Sequence, residues 1–441
     1  MITALQAVFC LQKSSIQMDI KGDSMSKNKY ERSRTMHIFE AMFEYLISIL
    51  VTGSFLATIT TELGISDSLT GIISSFISLG CVFQLLAIFL KLKYVKKTVT
   101  TFSVVNQLLF MLLYVLPLAG FEKNNKTVIF VIAIFLAYFF YNMVHPLKIN
   151  WFMSLVDDKM RGRFTANKEI VSLICGMMFT LFMGALVDHF KSSGDIRKAF
   201  IICAIVMFIL MVLHTLMMVL SVEKPSQNNG KGNALKQFAF VLKDTNVRKV
   251  ILLFIIWNMA SYSTIPFYGT YMIKELGFSL KFVSILSIVY SMVRIFVSRF
   301  WGRYADRNSF AVMIRLCFLV MACGFLINAF AMPSNGKVIF VLFNIFHGIA
   351  LGGINSALVN LVFDYAPVEM RSDALATSQA TSGVVGFLTT LVTSSLVAYI
   401  QNNGNKLFGM RIFAQQVTSL IAFAFTIAAA IYVHTQLTGK E

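Results

Sequence analysis

The sequence predicts an all-α membrane protein of twelve transmembrane helices in two six-helix bundles, with the N- and C-termini both cytoplasmic. Three observations carry this prediction: apolar runs of spanning length, basic residues confined to alternate run ends, and a pattern that recurs in the two halves. The chain has 441 residues, of which 57% are hydrophobic and 13% charged, with 42 Phe. No water-soluble core holds so much apolar surface, and the runs approach the ~20 residues needed to cross hydrocarbon. They cover approximately 37–60, 68–90, 101–119, 127–155, 167–188 and 198–221, then 249–272, 280–300, 310–331, 337–363, 374–398 and 410–434. These are spans 1 to 12 below.

The formal net charge of +17 raises the question of nucleic-acid binding, and the placement of the charges answers it. One set of span ends carries Lys27, Lys29, Arg32 and Arg34, then Lys91 to Lys97, then Lys159 to Lys168. It continues through Lys224 to Lys249 and Arg299 to Arg307, and ends at Arg371. The opposite set is thinner, as in Lys123, Lys191, Lys274, Lys337 and Lys406. By the positive-inside rule the richer side faces the cytoplasm, which gives an even number of spans. The charge therefore sets orientation, and no nucleic-acid partner is expected. The six cysteines show no metal or redox spacing and read as small buried residues. The opening MITALQAVFCL lacks a basic leader region, and Met25 opens a polar segment running into span 1, so Met25 is an alternative start.

Glu223 to Asn246 has linker chemistry and divides the chain. The expected organisation is a cytoplasmic segment 1–36, a bundle 37–221, a linker 222–248, a bundle 249–435 and a tail 436–441. The halves share a register: Glu62-Leu63-Gly64-Ile65-Ser66 recurs as Glu275-Leu276-Gly277-Phe278-Ser279, Met160-Arg161 as Met370-Arg371, and Asn150 as Asn360. Internal repeats of this kind are a transporter feature.

Between spans 8 and 9 the chain reads Gly302-Arg303-Tyr304-Ala305-Asp306-Arg307-Asn308, and here it resembles the major facilitator superfamily (MFS). The later glycine and basic pair of that signature are replaced by Ser309, Phe310 and Ala311, and the first-half counterpart has Lys91 and Val95 in place of Gly and Asp. The resemblance implies a cytoplasmic gate built from Gly302, Asp306 and Arg307, with Arg161 and Arg371 in the basic loops after spans 4 and 10. An Asp near a helix N-terminus gains from the dipole, although Arg303 and Arg307 serve equally as inside anchors. Drug exporters of the superfamily carry an Arg in span 4 and a Gly-Pro-rich span 5. Span 4 here offers Asn142, His145 and Lys148, and span 5 has no proline.

Ionisable groups within hydrocarbon are costly unless paired or hydrated, which makes each one a functional candidate. Glu40, Glu44, Ser48 and Thr52 recur every fourth residue along span 1, with Glu40 expected at the interface and Glu44 one turn deeper. Asn142, His145 and Lys148 line one side of span 4 beside Pro146. A Glu44–Lys148 pair is expected if both side chains face the central cavity that the superfamily forms from spans 1, 4, 7 and 10; the alternative is that Lys148 snorkels to the surface. In the second half Asn258, Tyr262, Asn344 and His347 are polar and uncharged, suited to a neutral or zwitterionic solute or to helix–helix hydrogen bonds.

The expected function is secondary active transport of a small solute across the cytoplasmic membrane by alternating access, with protons or another ion as coupling partner. No enzymatic constellation, cofactor or metal site is expected, and the expected state is a monomer in the bilayer. A transport-silent solute sensor, an exporter of the same superfamily, and an intramembrane enzyme or scramblase are the rivals.

Overall fold

The structure, a computed structural model, describes residues 24–84, 94–156, 161–224, 241–367, 371–407 and 410–437. The expected alternative start at Met25 against Met1, most of the linker, and part of the Lys91 to Lys97 loop involve residues outside these. Among the described residues the chain is helical apart from a two-residue hairpin, Lys406–Leu407 paired with Met410–Arg411, between spans 11 and 12. Eleven helices are long and apolar enough to span a membrane, and a twelfth span is the bent pair Tyr30–Leu50 and Gly53–Glu62. The chain is a multi-pass membrane protein.

Three spans are interrupted, and the sequence accounts for two of the breaks. Span 1 bends by 41° at Thr52–Gly53. Gly53 adopts φ 55°, a left-handed conformation that a Cβ disfavours. Span 7 pauses at Ser263–Thr264, directly before Pro266, which has no N–H to continue the ladder. Gly53 and Pro266 stand 213 residues apart, as Glu62 and Glu275 do, so the break repeats in the register of the halves. Span 2 is divided at Ser75.

Helix packing follows the same symmetry. Span 1 packs on spans 5 and 6, and span 3 on spans 4 and 6; correspondingly span 7 packs on spans 11 and 12, and span 9 on spans 10 and 12. Across the halves, span 5 meets span 8 and span 11 meets span 2. One apolar core runs from Val241 to Leu437, around Trp257, Phe318, Phe325 and Phe340. The other runs from Leu46 to Leu210, and Ile273 and Leu280 of the second half join it.

The halves are fastened at the end where span 1 finishes. Asp67 accepts hydrogen bonds from Lys274 at 2.5 Å and from Gln401 at 2.8 Å. Asp188 of span 5 accepts from the first two amides of span 8, Leu280 at 2.9 Å and Lys281 at 2.6 Å, and so caps a helix of the opposite half. The Ser68 and Ser394 hydroxyls lie 2.6 Å apart. At the two broken helices the backbones nearly touch: a Cβ on Gly269 would sit 2.7 Å from the Gly53 carbonyl oxygen.

Gly269→Val forces these backbones apart. The expected cost is about 1–3 kcal/mol, read as a lowered thermal midpoint in detergent, with Gly302→Val as a control at a position where a Cβ meets nothing within 4 Å.

Candidate functional site

The four-residue stripe of span 1 faces a cavity of about 520 Å³ between the halves. Glu40, Glu44, Ser48 and Thr52 line one wall, joined by Tyr141, His145 and Lys148 of span 4. Glu169 of span 5 and Tyr290 and Arg294 of span 8 form the far side. A second cavity of about 290 Å³ shares Thr52, Ile77 and Tyr138 with it and adds Ser74, Ser261, Tyr262 and Pro266.

The charged centre of the wall is Glu40. It is 0% exposed, a depth at which a lone carboxylate is untenable in a bilayer. Three donors satisfy it: His37 Nδ1 at 2.8 Å on one oxygen, and Lys148 Nζ and His214 Nε2, each at 2.9 Å, on the other. The Lys148 ammonium also pairs with Glu44, so one cation bridges two carboxylates. Lys148 is buried rather than snorkelled to a surface. His214 Nε2 lies 3.4 Å from Glu44 as well, and its Nδ1 is 3.0 Å from the Gln107 amide nitrogen. The His37 ring stacks on Phe152 at 4.0 Å, which fixes its plane.

Glu40 is therefore enclosed by protein rather than open to solvent, although it lies near a basic end of the sequence. Its neighbours from spans 4 and 6 enclose it, and run position along one helix does not report that. His37, Gln107 and His214 were not singled out by the sequence reading. One signal for His214 exists: it is the sole His, Asp, Glu, Lys or Arg between Lys198 and Leu220. On the far wall Arg294 does not reach for the membrane surface; it donates to Glu169 at 3.2 Å and to the Tyr290 hydroxyl at 3.3 Å.

Of the other candidates, His145 lines the large cavity and Tyr262 the smaller one. Asn142 instead accepts from Gln84 at 3.1 Å and donates to the Tyr138 carbonyl, a helix–helix contact. Asn344 donates to the Phe340 carbonyl of its own helix at 2.7 Å. Asn258 is half-buried and lines neither cavity. His347 stacks on Phe343 and on Tyr290, one layer behind the far wall.

The model of the Major Facilitator Superfamily matches residues 38–390. The chain belongs to the major facilitator superfamily. Among solved structures it is similar to a point mutant of the nucleoside transporter NupG, with TM-score 0.71 and 14% identity over 91% of this chain and 99% of that one. It is also similar to a D-xylose–proton symporter (TM-score 0.64, 12% identity, 92% and 98% covered) and to an auto-inhibited POT family peptide transporter (0.63, 14%, 92% and 97%). No curated protein matches. Membership of this family points to a transporter, not an enzyme.

The residues of the superfamily's loop signature are placed differently from the sequence expectation in one respect. Asp306 belongs to the last turn of the helix Leu280–Arg307, not to a helix N-terminus. The next helix is capped by Ser309, whose hydroxyl accepts from Val312 N at 3.2 Å. Arg307 is exposed, and Arg371 places its guanidinium 5.6 Å over the Phe363 ring. The side chains of Arg161 and Asp306 lie outside the described residues.

Lys148→Met leaves the buried Glu40 and the half-buried Glu44, two like charges, without their cation. The expected loss is about 3–5 kcal/mol, measured by thermal or denaturant unfolding in detergent, and Glu40→Gln combined with Lys148→Met recovers most of it.

Proposed function

We propose that this protein is a secondary active transporter of the cytoplasmic membrane that carries a small polar, ring-bearing solute by alternating access. The observation that carries the proposal is the cavity between the halves. It holds the Glu40–Lys148–Glu44 cluster on one wall and the Arg294–Glu169 pair on the other. Lined by Tyr45, Tyr138, Tyr141 and Tyr290, and continuous in its lining with Tyr262, it offers aromatic faces with hydroxyl tips. Such a lining suits a neutral or zwitterionic ring with polar edges. The nucleoside and D-xylose–proton transporters that share the fold make nucleosides and sugars the first solutes to test.

In this reading the bundles 37–221 and 249–435 rock about the cavity. The positive-inside rule puts both termini in the cytoplasm, so the fastened end is the outer one and the described conformation is closed to the outside. Gly302, Asp306, Arg307, Arg161 and Arg371 form the cytoplasmic gate, in which Asp306 and Arg307 pair with neighbouring helix ends when the protein opens outward. Gly302 has open space around it, as expected of a gate residue in the other state. Glu44, with its side chain 20% exposed toward the cavity, couples the solute to a proton or ion gradient through Lys148 and His145.

A stabilisation screen over nucleosides, sugars, small peptides, amino acids, organic acids and drugs identifies the solute; a ligand at a hundred times its Kd adds about 2.7 kcal/mol. Glu44→Gln is expected to abolish accumulation of that solute driven by a pH gradient in proteoliposomes, and unchanged accumulation would remove Glu44 from the coupling role. In a variant without native cysteines, Ser68→Cys with Ser394→Cys is expected to form a disulfide that stops uptake until a reductant is added. Full uptake in the cross-linked protein would contradict alternating access.

A further inference from the structure

Charge balance inside the Glu40 cluster points to a binding site at His214. Two carboxylates, Glu40 and Glu44, share one ammonium, Lys148. With both histidines neutral the groups in direct contact carry one negative charge in excess, an unfavourable state in hydrocarbon; the next cation, Lys168, lines the cavity and makes no ion pair with either carboxylate among the described residues. A single added positive charge removes the excess. Glu40, Glu44 and His214 bring ligand-type atoms within 4.8 Å of one another, close enough to hold a metal ion. The Lys148 ammonium, however, already lies against both carboxylates, in the place a metal would take.

His214 is the group positioned to supply the missing charge. It is fully buried, and its Nε2 reaches both carboxylates, at 2.9 Å and 3.4 Å. His37 contacts Glu40 alone of the two and is stacked on Phe152. The second nitrogen of His214 meets an adaptable partner. Gln107 presents its amide N–H to Nδ1 at 3.0 Å, which makes Nδ1 an acceptor, leaves the proton on Nε2 and describes a neutral ring. Gln107 is itself 3% exposed, and its carbonyl oxygen has no hydrogen-bond partner. A half turn of that amide exchanges the two atoms, so that the unused oxygen accepts from a protonated Nδ1. One side chain thus serves both protonation states of the imidazole.

We propose that His214 is the proton-binding site of the cluster, with Gln107 turning its amide as the proton arrives. The charged groups facing His214 are Glu40 and Glu44 from span 1, with His37 behind Glu40, and Lys148 from span 4; span 3 contributes the uncharged Gln107. Span 5 gives His214 no hydrogen bond or ion pair among the described residues. Proton binding at His214 neutralises the cluster and sets His214 against Lys148 for Glu44, the member open to the cavity. Only this last step, from proton to solute, rests on the transport reading.

The test is nitrogen-15 NMR of the full chain in lipid nanodiscs, labelled on histidine, of which there are 6. As pH falls from about 8 to about 5, the range in which imidazoles exchange protons, the His214 ring is expected to pass from singly to doubly protonated. That signal is lost in His214→Gln and retained in His37→Gln. In Gln107→Leu the His214 ring is expected to stay singly protonated over the whole interval. A His214 ring whose state does not change in the unmodified protein overturns the proposal, and a transition that persists in Gln107→Leu overturns the role of the amide. Broadening of the His214 signals by Mn2+ at constant pH makes this a metal site and overturns it too. A clear His214 transition in a protein that moves no solute across vesicles would sink the transport reading and leave the proton site standing.

Discussion

The burial of Glu40 constrains the whole first half of the molecule. A carboxylate with no solvent contact survives in a membrane only if several donors converge on it, and here three do, from spans 1, 4 and 6. Each donor fixes a helix. His37 comes from the turn that precedes Glu40, Lys148 from the far side of span 4 beyond Pro146, and His214 from an otherwise apolar helix. Shifting any of these helices by one residue turns its donor away. Removing any one donor leaves charge in hydrocarbon. The cluster therefore holds the bundle in one arrangement as firmly as its apolar packing does, and it does so beside a cavity.

The second half answers with different chemistry. Around the shared cavity it places Tyr262, Tyr290 and Arg294, with Arg294 held by Glu169 of the first half. The packing of the halves is symmetric while their polar content is not. Symmetry brings the broken helices together, because Gly53 and Pro266 stand at equivalent positions and both interrupt the backbone where spans 1 and 7 meet. Asymmetry leaves the Glu40–Lys148–Glu44 cluster on one wall and the Arg294–Glu169 pair with Tyr290 on the other.

The fold was legible because it rests on quantities that sum along the chain. Run length set the spans, and most observed ends lie within about two turns of the expected ones, the exception being span 1, whose helix begins at Ser24; span 12 begins at Ala414 because the hairpin Lys406–Leu407 with Met410–Arg411 occupies the preceding residues. The site was legible in part. The stripe Glu40, Glu44, Ser48 and Thr52 follows from helical periodicity alone, and the structure turns all four residues to one cavity. The depth of Glu40 did not follow, nor did the partners of Asn142 and Asn344, which are bound to neighbouring or local backbone and amides.

By itself the sequence determined the bilayer as solvent, the number of spans and the repeat, since hydropathy and spacing are properties of each segment taken alone. Only the tertiary structure decided that Lys148 bridges two carboxylates, that His214 and Gln107 stand behind them, and that Asp188 caps a helix of the other half. These contacts join residues 92 to 174 positions apart across separate helices. Rotation of each helix about its axis sets them, and that rotation depends on every neighbour packed against it. No single run of sequence contains it.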